Sequence, residues 1–414
     1  MNRSIVRIAL VCASGGIALA VAWPWLSRSF GRGDAADENQ IELRQVEPIE
    51  SPFAEPPPEP ETAAPEPTAA APSPRVPPDW PRDGPAPALV RQRVFTPITP
   101  KDALVLFPLG DGLSDYDPEC GYRYLPHLDL PRRLKQHPEE GWNLRTNGMG
   151  QRRDTDPSAE QPDLRVLVAG DSHTDGVCNN DESFSGLLEA ALRRERPGQT
   201  VEVLNAAKGG YTFYNYLGVL RRHLALEPDV FVVTVYGGND FLEALLLHAW
   251  FNGLPGPSGS KPYWPQVKQA IRLRKTAMAQ AMLSLKYFEH RPEEIRIAFE
   301  AARQMLRYVR HVCDEHGVRL IVVYLPPITD VEPDSPAVRL DELCRVLELE
   351  PEDLGSTDLL ADTLLRWLEA RGVETLDLRP AFRAAPESLY WALDLHINTR
   401  AHGLIAEQLL KRLR

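Results

Sequence analysis

Five short apolar runs recur between Leu164 and Leu378 with helical patterns between them, and this alternation constrains the fold more than any other feature. The runs are Leu164–Ala169, Val201–Leu204, Val230–Tyr236, Val318–Leu325 and Glu374–Leu378. Short runs rich in β-branched residues read as strands. Helical spacing marks Ser183–Arg194, Tyr214–Ala225, Pro292–His316 and Leu359–Ala370, and a last helix is expected near Arg400–Leu413. Such alternation predicts an α/β fold, a parallel sheet covered by helices on both faces. Ligands bind beyond the carboxyl ends of the strands in these sheets, so the chemistry is expected where the strands end.

The N-terminal part has a different character. Ile8–Leu26 carries no charge and is flanked by Arg3, Arg7, Arg28 and Arg32, which is long enough to span a bilayer. Residues 1–27 are therefore expected to form a membrane anchor, with cleavage as a signal peptide near Ala18-Leu19-Ala20 as the competing reading. The short tail before the run favours an extracytoplasmic placement of the rest. From Pro48 to Pro87 the chain carries 15 of its 39 prolines among Ala, Glu and Ser. That composition builds no core and favours extended polyproline II, so residues 28–92 read as a linker, either a spacer or an unstructured tail. Residues 93–414 remain as one globular domain. Within it, 93–160 are expected to wrap the sheet, and 245–290, with Trp250, Tyr263 and Trp264 beside Lys268 and Arg272, to form a lid or a peripheral insertion. A net charge of −12 argues against a nucleic-acid partner, because phosphate binding rests on clustered Lys and Arg.

Beyond Cys12 in the apolar run, the cysteines are Cys120, Cys178, Cys313 and Cys344. In an oxidising compartment they can pair, and Cys120–Cys178 with Cys313–Cys344 is the expected pattern. No Cys-x-x-Cys occurs, and His311 and His316 lack carboxylates at ligand spacing, so no metal is expected. The absence of a Walker or Gly-x-Gly-x-x-Gly sequence likewise gives no reason to expect a nucleotide.

Four segments carry the chemistry. The first strand runs directly into Gly170-Asp171-Ser172-His173. A serine there is exposed on a tight turn, yet alone it reads as readily as a turn cap. The second strand leaves through Asn205-Ala206-Ala207-Lys208-Gly209-Gly210, and the third ends in Gly237-Gly238-Asn239-Asp240. Three strand ends thus supply a hydroxyl, a glycine N–H and an amide, the inventory of a nucleophile with an oxyanion hole. A base is found far along the chain in Asp394-Leu395-His396-Ile397-Asn398, just before the last helix. Imidazole removes a hydroxyl proton near neutral pH, and a nearby carboxylate fixes its tautomer. His173 is expected to wall the pocket, and Asp171 and Asp240 to brace turns.

Together with Arg145-Thr146-Asn147-Gly148-Met149-Gly150 upstream, these segments resemble, in order and spacing, the sequence blocks of the SGNH (GDSL-type) hydrolases from about Leu144 onward. The resemblance implies a three-layer α/β/α domain with a five-stranded parallel sheet of flavodoxin-like type. It makes Ser172 the nucleophile, His396 the general base and Asp394 its orienting carboxylate, with an oxyanion hole from the Ser172 and Gly210 N–H groups and the Asn239 side chain. The sequence departs from the family where many members carry an acid three residues before the histidine, because Leu393 stands there. A Gly-His pair that often opens the last helix is here Ala401-His402. The implied reaction is hydrolysis of a carboxylic ester through an acyl-enzyme, without cofactor or metal. An O-acetylated polysaccharide is the substrate that the extracytoplasmic placement suggests. Transfer of the acyl group to a sugar, and a carbohydrate-binding protein without catalysis, are the rival readings.

Overall fold

The computed structural model describes residues 98–251, 278–393 and 395–414. The anchor, nearly all of the linker and the centre of the 245–290 insertion lie outside them.

The chain enters through helix α1 (Pro100–Leu106) and two antiparallel ribbons, β1 (Ser114–Asp117) with β2 (Gly121–Tyr124), and β3 (Asp129–Arg133) with β4 (Gly141–Arg145). The central units follow: β5 (Leu164–Ala169), a single helical turn α2 (Ser172–Asp175), α3 (Phe184–Glu195), β6 (Val201–Asn205), α4 (Phe213–His223), β7 (Val230–Tyr236) and α5 (Asp240–Phe251). Beyond residues 252–277 come α6 (Met278–His290), α7 (Pro292–His316), β8 (Arg319–Leu325), α8 (Ile328–Val331) and α9 (Leu340–Leu347). The chain closes with α10 (Ser356–Glu369), β9 (Glu374–Asp377), α11 (Arg379–Arg383) and α12 (Thr399–Leu413).

The sheet has the order β6-β5-β7-β8-β9, and every pairing in it is parallel. Its central strands are buried along their whole length, which explains why β5 and β7 read as continuous apolar runs without alternation. Right-handed crossovers place α3 on one face and α4, α7 and α10 on the other. The last helix, α12, returns to pack against α3, completing three layers. Pro292 opens α7, and Gly317, in the left-handed conformation at φ 68°, closes it.

The segment ahead of β5 holds four strands, and Tyr122 of β2 joins the main hydrophobic core while Tyr124 packs in a smaller cluster with Trp142 and Trp391. One expectation needs correction. The four described cysteines are free thiols, with neither Cys120–Cys178 nor Cys313–Cys344 formed. Cys120 and Cys178 are enclosed on different elements: the first lies beside Tyr211 and Asp117, and the second follows α2 next to Arg152. Burial pushes both thiols well above their ordinary pKa, leaving them inert.

Candidate active site

Strands β6, β5 and β7 are neighbours, so the three glycine-bearing turns that follow them meet at one edge of the sheet. This is where the chain reverses its direction of winding, the usual place for a ligand in an open α/β sheet. Ser172 opens the turn α2 immediately beyond the central strand and is 8% exposed. Asp171 caps this turn, its Oδ1 accepting from the His173 N–H at 2.9 Å.

Polar groups from three other segments hold α2 in place. Asp175 accepts from the Tyr124 hydroxyl at 2.6 Å and from Arg152 Nη1 at 2.8 Å. Arg152, itself buried, also donates to the carbonyls of Asp175, Gly176 and Cys178 and to Asn180 Oδ1. Asn205, at the end of β6, donates through Nδ2 to the Thr174 carbonyl at 3.1 Å.

His396 reaches Ser172 from far along the chain. His396 Nε2 and Ser172 Oγ lie 2.9 Å apart, a hydrogen bond between residues 224 positions apart in sequence. A tight reversal presents the imidazole: Tyr390 pairs with Ile397, and the Trp391 N–H donates to the His396 carbonyl at 2.9 Å. Leu395, just before the histidine, takes φ 60°, a left-handed conformation that costs a branched residue about 1–3 kcal/mol and is held by burial. Asn398 then caps α12, accepting from the Arg400 and Ala401 N–H groups. Asp394, the expected orienting carboxylate, lies outside the described residues.

His173 ties the two halves together. Its ring stacks on Tyr236 at 3.8 Å and lies 4.6 Å from the His396 ring, while its Nδ1 accepts from the Ile397 N–H at 3.3 Å. Burial, reinforced by the neighbouring His396 and His402, holds its pKa well below the ordinary imidazole range, so it stays neutral. His402 on α12 is also neutral, pushed down to about 3 by burial, and its Nδ1 accepts from the Phe184 N–H at the start of α3.

The turn after β6 lies directly against the serine, because a side chain at Gly209 would meet Ser172 Cβ at 3.5 Å. Gly210 adopts φ 83°, which explains the glycine there and leaves its N–H available in a bend that a side chain would strain. The Gly209 carbonyl accepts from the Tyr122 hydroxyl at 2.7 Å. Asn239 ends the turn after β7, and its Nδ2 donates to Glu243 Oε1 at 3.0 Å. An amide nitrogen carries two hydrogens, so a second remains for another acceptor.

Behind the serine lies a group of buried carboxyls. Burial pushes Asp171 up to about 6 and Glu243 up to about 8, and Asp240 is raised by burial and then by the Asp171 charge. Asp240 Oδ2 accepts from the Tyr216 hydroxyl at 2.7 Å and the Tyr236 N–H at 2.9 Å, which locks the mouth of β7. Sequence reasoning gave no role to Arg152, Glu243 or the paired tyrosines Tyr122 and Tyr124. Their spacing follows no periodic pattern, and only the assembled fold brings them to the turns.

No curated protein matches the chain. Among solved structures, it is similar to an acetyl xylan esterase, AlAXEase, at 14% identity, over 61% of this chain and 100% of that one, with a TM-score of 0.38. The lipase/acylhydrolase from Enterococcus faecalis aligns at 17% identity over 60% of this chain and 95% of that one, with a TM-score of 0.30. A member of the lipolytic protein G-D-S-L family from Veillonella parvula DSM 2008 aligns at 11% identity over 60% and 97%, with a TM-score of 0.32. The sequence profile of one family covers residues 168–404, from the strand before Ser172 to the helix after His396. The chain belongs to that family, the GDSL-like lipase/acylhydrolases, and is a serine ester hydrolase.

Proposed function

We propose that Ser172 is the nucleophile of a two-step acyl transfer, with His396 as general base and Asp394 as the carboxylate that orients the imidazole. The observation supporting this reading is the 2.9 Å contact between His396 Nε2 and Ser172 Oγ. Imidazole at that distance takes the hydroxyl proton as Oγ attacks the ester carbonyl carbon. The oxyanion that develops is stabilised by the Ser172 and Gly210 N–H groups and by the free hydrogen of Asn239 Nδ2. Collapse expels the alcohol, which receives its proton from His396, and leaves the acyl group on Ser172. Water then attacks the acyl-enzyme with His396 again as base, releasing the acid.

The substrate we propose is an ester of carbohydrate, foremost an O-acetyl group on polysaccharide outside the cytoplasm. The apolar run Ile8–Leu26 and the proline-rich linker support that placement. Two measurements test the proposal. A fluorophosphonate probe should label the wild-type protein and leave Ser172→Ala unlabelled; persistent labelling of the variant would remove Ser172 from the mechanism. A panel of acetyl and longer acyl esters, run with and without added sugar acceptors, should show release of free acid as the main product. Predominant acylation of the sugar would make the protein a transferase instead.

A further inference from the structure

Two neighbouring cations, Lys208 in the turn that packs against Ser172 and Arg132 on β3, make no side-chain hydrogen bond or ion pair among the described residues. Lys208, two residues before Gly210, is 4% exposed, and its ammonium makes no hydrogen bond or ion pair among the described residues. It sits over the Tyr124 ring at 3.6 Å and within 5.2 Å of the Tyr122 ring. Both tyrosines belong to the site already described: the Tyr122 hydroxyl holds the Gly209 carbonyl, and the Tyr124 hydroxyl holds Asp175 at the end of the Ser172 turn. Arg132, on β3, is the second cation. It shares the inward face of that strand with Leu130, whose cluster contains Tyr124, Trp142 and Trp391. Trp391 in turn is hydrogen-bonded to the backbone of His396. Arg132 Nε and Nη2 are buried and have no hydrogen-bond partner.

Buried guanidinium nitrogens without acceptors are rare, and half-buried Arg132 has two of them. Lys208 is almost wholly enclosed, and the ring faces return only part of the cost of burying its charge. Burial lowers Lys208 to about 8, with Arg132 working in the same direction and Asp111 and Asp175 opposing it, so the ammonium remains charged at neutral pH.

We infer that Lys208 and Arg132 form an anion subsite next to Ser172, which receives a carboxylate carried by the ester substrate. A guanidinium fork and an ammonium complement a planar carboxylate, and a buried subsite of this kind rewards a charged substrate over its neutral analogue. The acidic side chains near Lys208 weigh against a dianion such as a phosphate monoester. The carboxylate has two sources, the acyl part, as in a hemi-ester of a dicarboxylic acid, or the alcohol part, as in a uronic acid unit. The inference rests on Ser172 as the reacting centre, but its binding component is measurable without turnover.

Calorimetry on the full chain with two matched pairs separates the sources: methyl glucuronide against methyl glucoside for the alcohol side, and succinamate against succinamide for the acyl side. The charged member of one pair should bind at least about ten-fold tighter than its neutral partner, the scale of one charge-assisted hydrogen bond. That preference should collapse toward unity in Lys208→Met and in Arg132→Gln. Arg132 lies on a peripheral ribbon, so its variant supplies the readout even where the buried Lys208→Met does not fold. Equal binding within both pairs, or a preference that survives both variants, overturns the subsite. Hydrolysis of p-nitrophenyl acetate by the same preparation reports on the hydrolase reading separately, since its absence with the charge preference intact would remove only that reading.

Discussion

Asn239 donates its side-chain amide to Glu243, one helical turn further along, at 3.0 Å. The carboxyl that accepts it is buried, with Oε2 unpartnered, although part of the side chain reaches the surface. Burial first, and then the nearby Asp171, raise its pKa to about 8, whereas the bond from Asn239 acts in the opposite direction. Glu243 therefore fixes the Asn239 side chain, and at neutral pH it holds the amide mostly as a neutral acid.

A sign follows for stability. A carboxyl whose folded pKa lies above its ordinary 4.5 contributes stability that is fully present below 4.5 and is lost as the pH rises through about 8. Glu243→Gln keeps the amide's acceptor and carries no titratable group. Thermal unfolding of the variant should gain on the wild type at pH 9 and show no such gain at pH 5. A parallel pH dependence of the two proteins would refute the burial of this charge.

The second prediction concerns the same amide from the side of the reaction. Truncating one oxyanion donor typically lowers kcat by about 10²–10³. Asn239→Ala should do this with little change in KM, because the contact forms as the oxyanion develops. Glu243→Gln should keep most of the rate, since it still accepts from Nδ2. A wild-type rate for Asn239→Ala in steady-state assays would take the residue out of the hole.

Much of this site was legible because its parts sit at strand ends. The five strands of the sheet begin and end within a residue of their apolar runs, and a completely buried parallel strand advertises itself that way. Ser172, Gly210 and Asn239 then fall at the same edge through topology alone. The ribbons ahead of β5 carried no such signal. Strand β3 reads Asp-Leu-Pro-Arg-Arg, and its inward face places Arg132 where an apolar residue would be expected. Helix α5 hid Glu243 within an otherwise apolar run. The left-handed Leu395, which sets the approach of His396, has no sequence signature, since a branched residue adopts that conformation only where tertiary packing imposes it.

The cysteines supply a third prediction. Three of the four are fully enclosed, and none is bonded to another. Alkylation in guanidinium without reductant, followed by mass spectrometry of the peptides, should modify Cys120, Cys178, Cys313 and Cys344 alike. Recovery of a disulfide-linked Cys120–Cys178 or Cys313–Cys344 peptide would contradict the fold as described.

Arg152 offers the sharpest separation of stability from chemistry. It is buried, it pairs with Asp175, and it satisfies three carbonyls and an amide oxygen around the end of the Ser172 turn. Replacing it with Met keeps the volume but leaves Asp175 as an uncompensated buried charge beside Tyr124, and breaking such a pair costs about 3–5 kcal/mol. Arg152→Met should therefore shift the urea midpoint strongly. The double variant Arg152→Met, Asp175→Asn should recover part of the loss, because the stranded charge goes with it. The carbonyls of Gly176 and Cys178 remain without their donor in both, so recovery should be incomplete. A double variant no more stable than the single one would show that the backbone contacts of Arg152, and not its ion pair, secure the turn that carries Ser172.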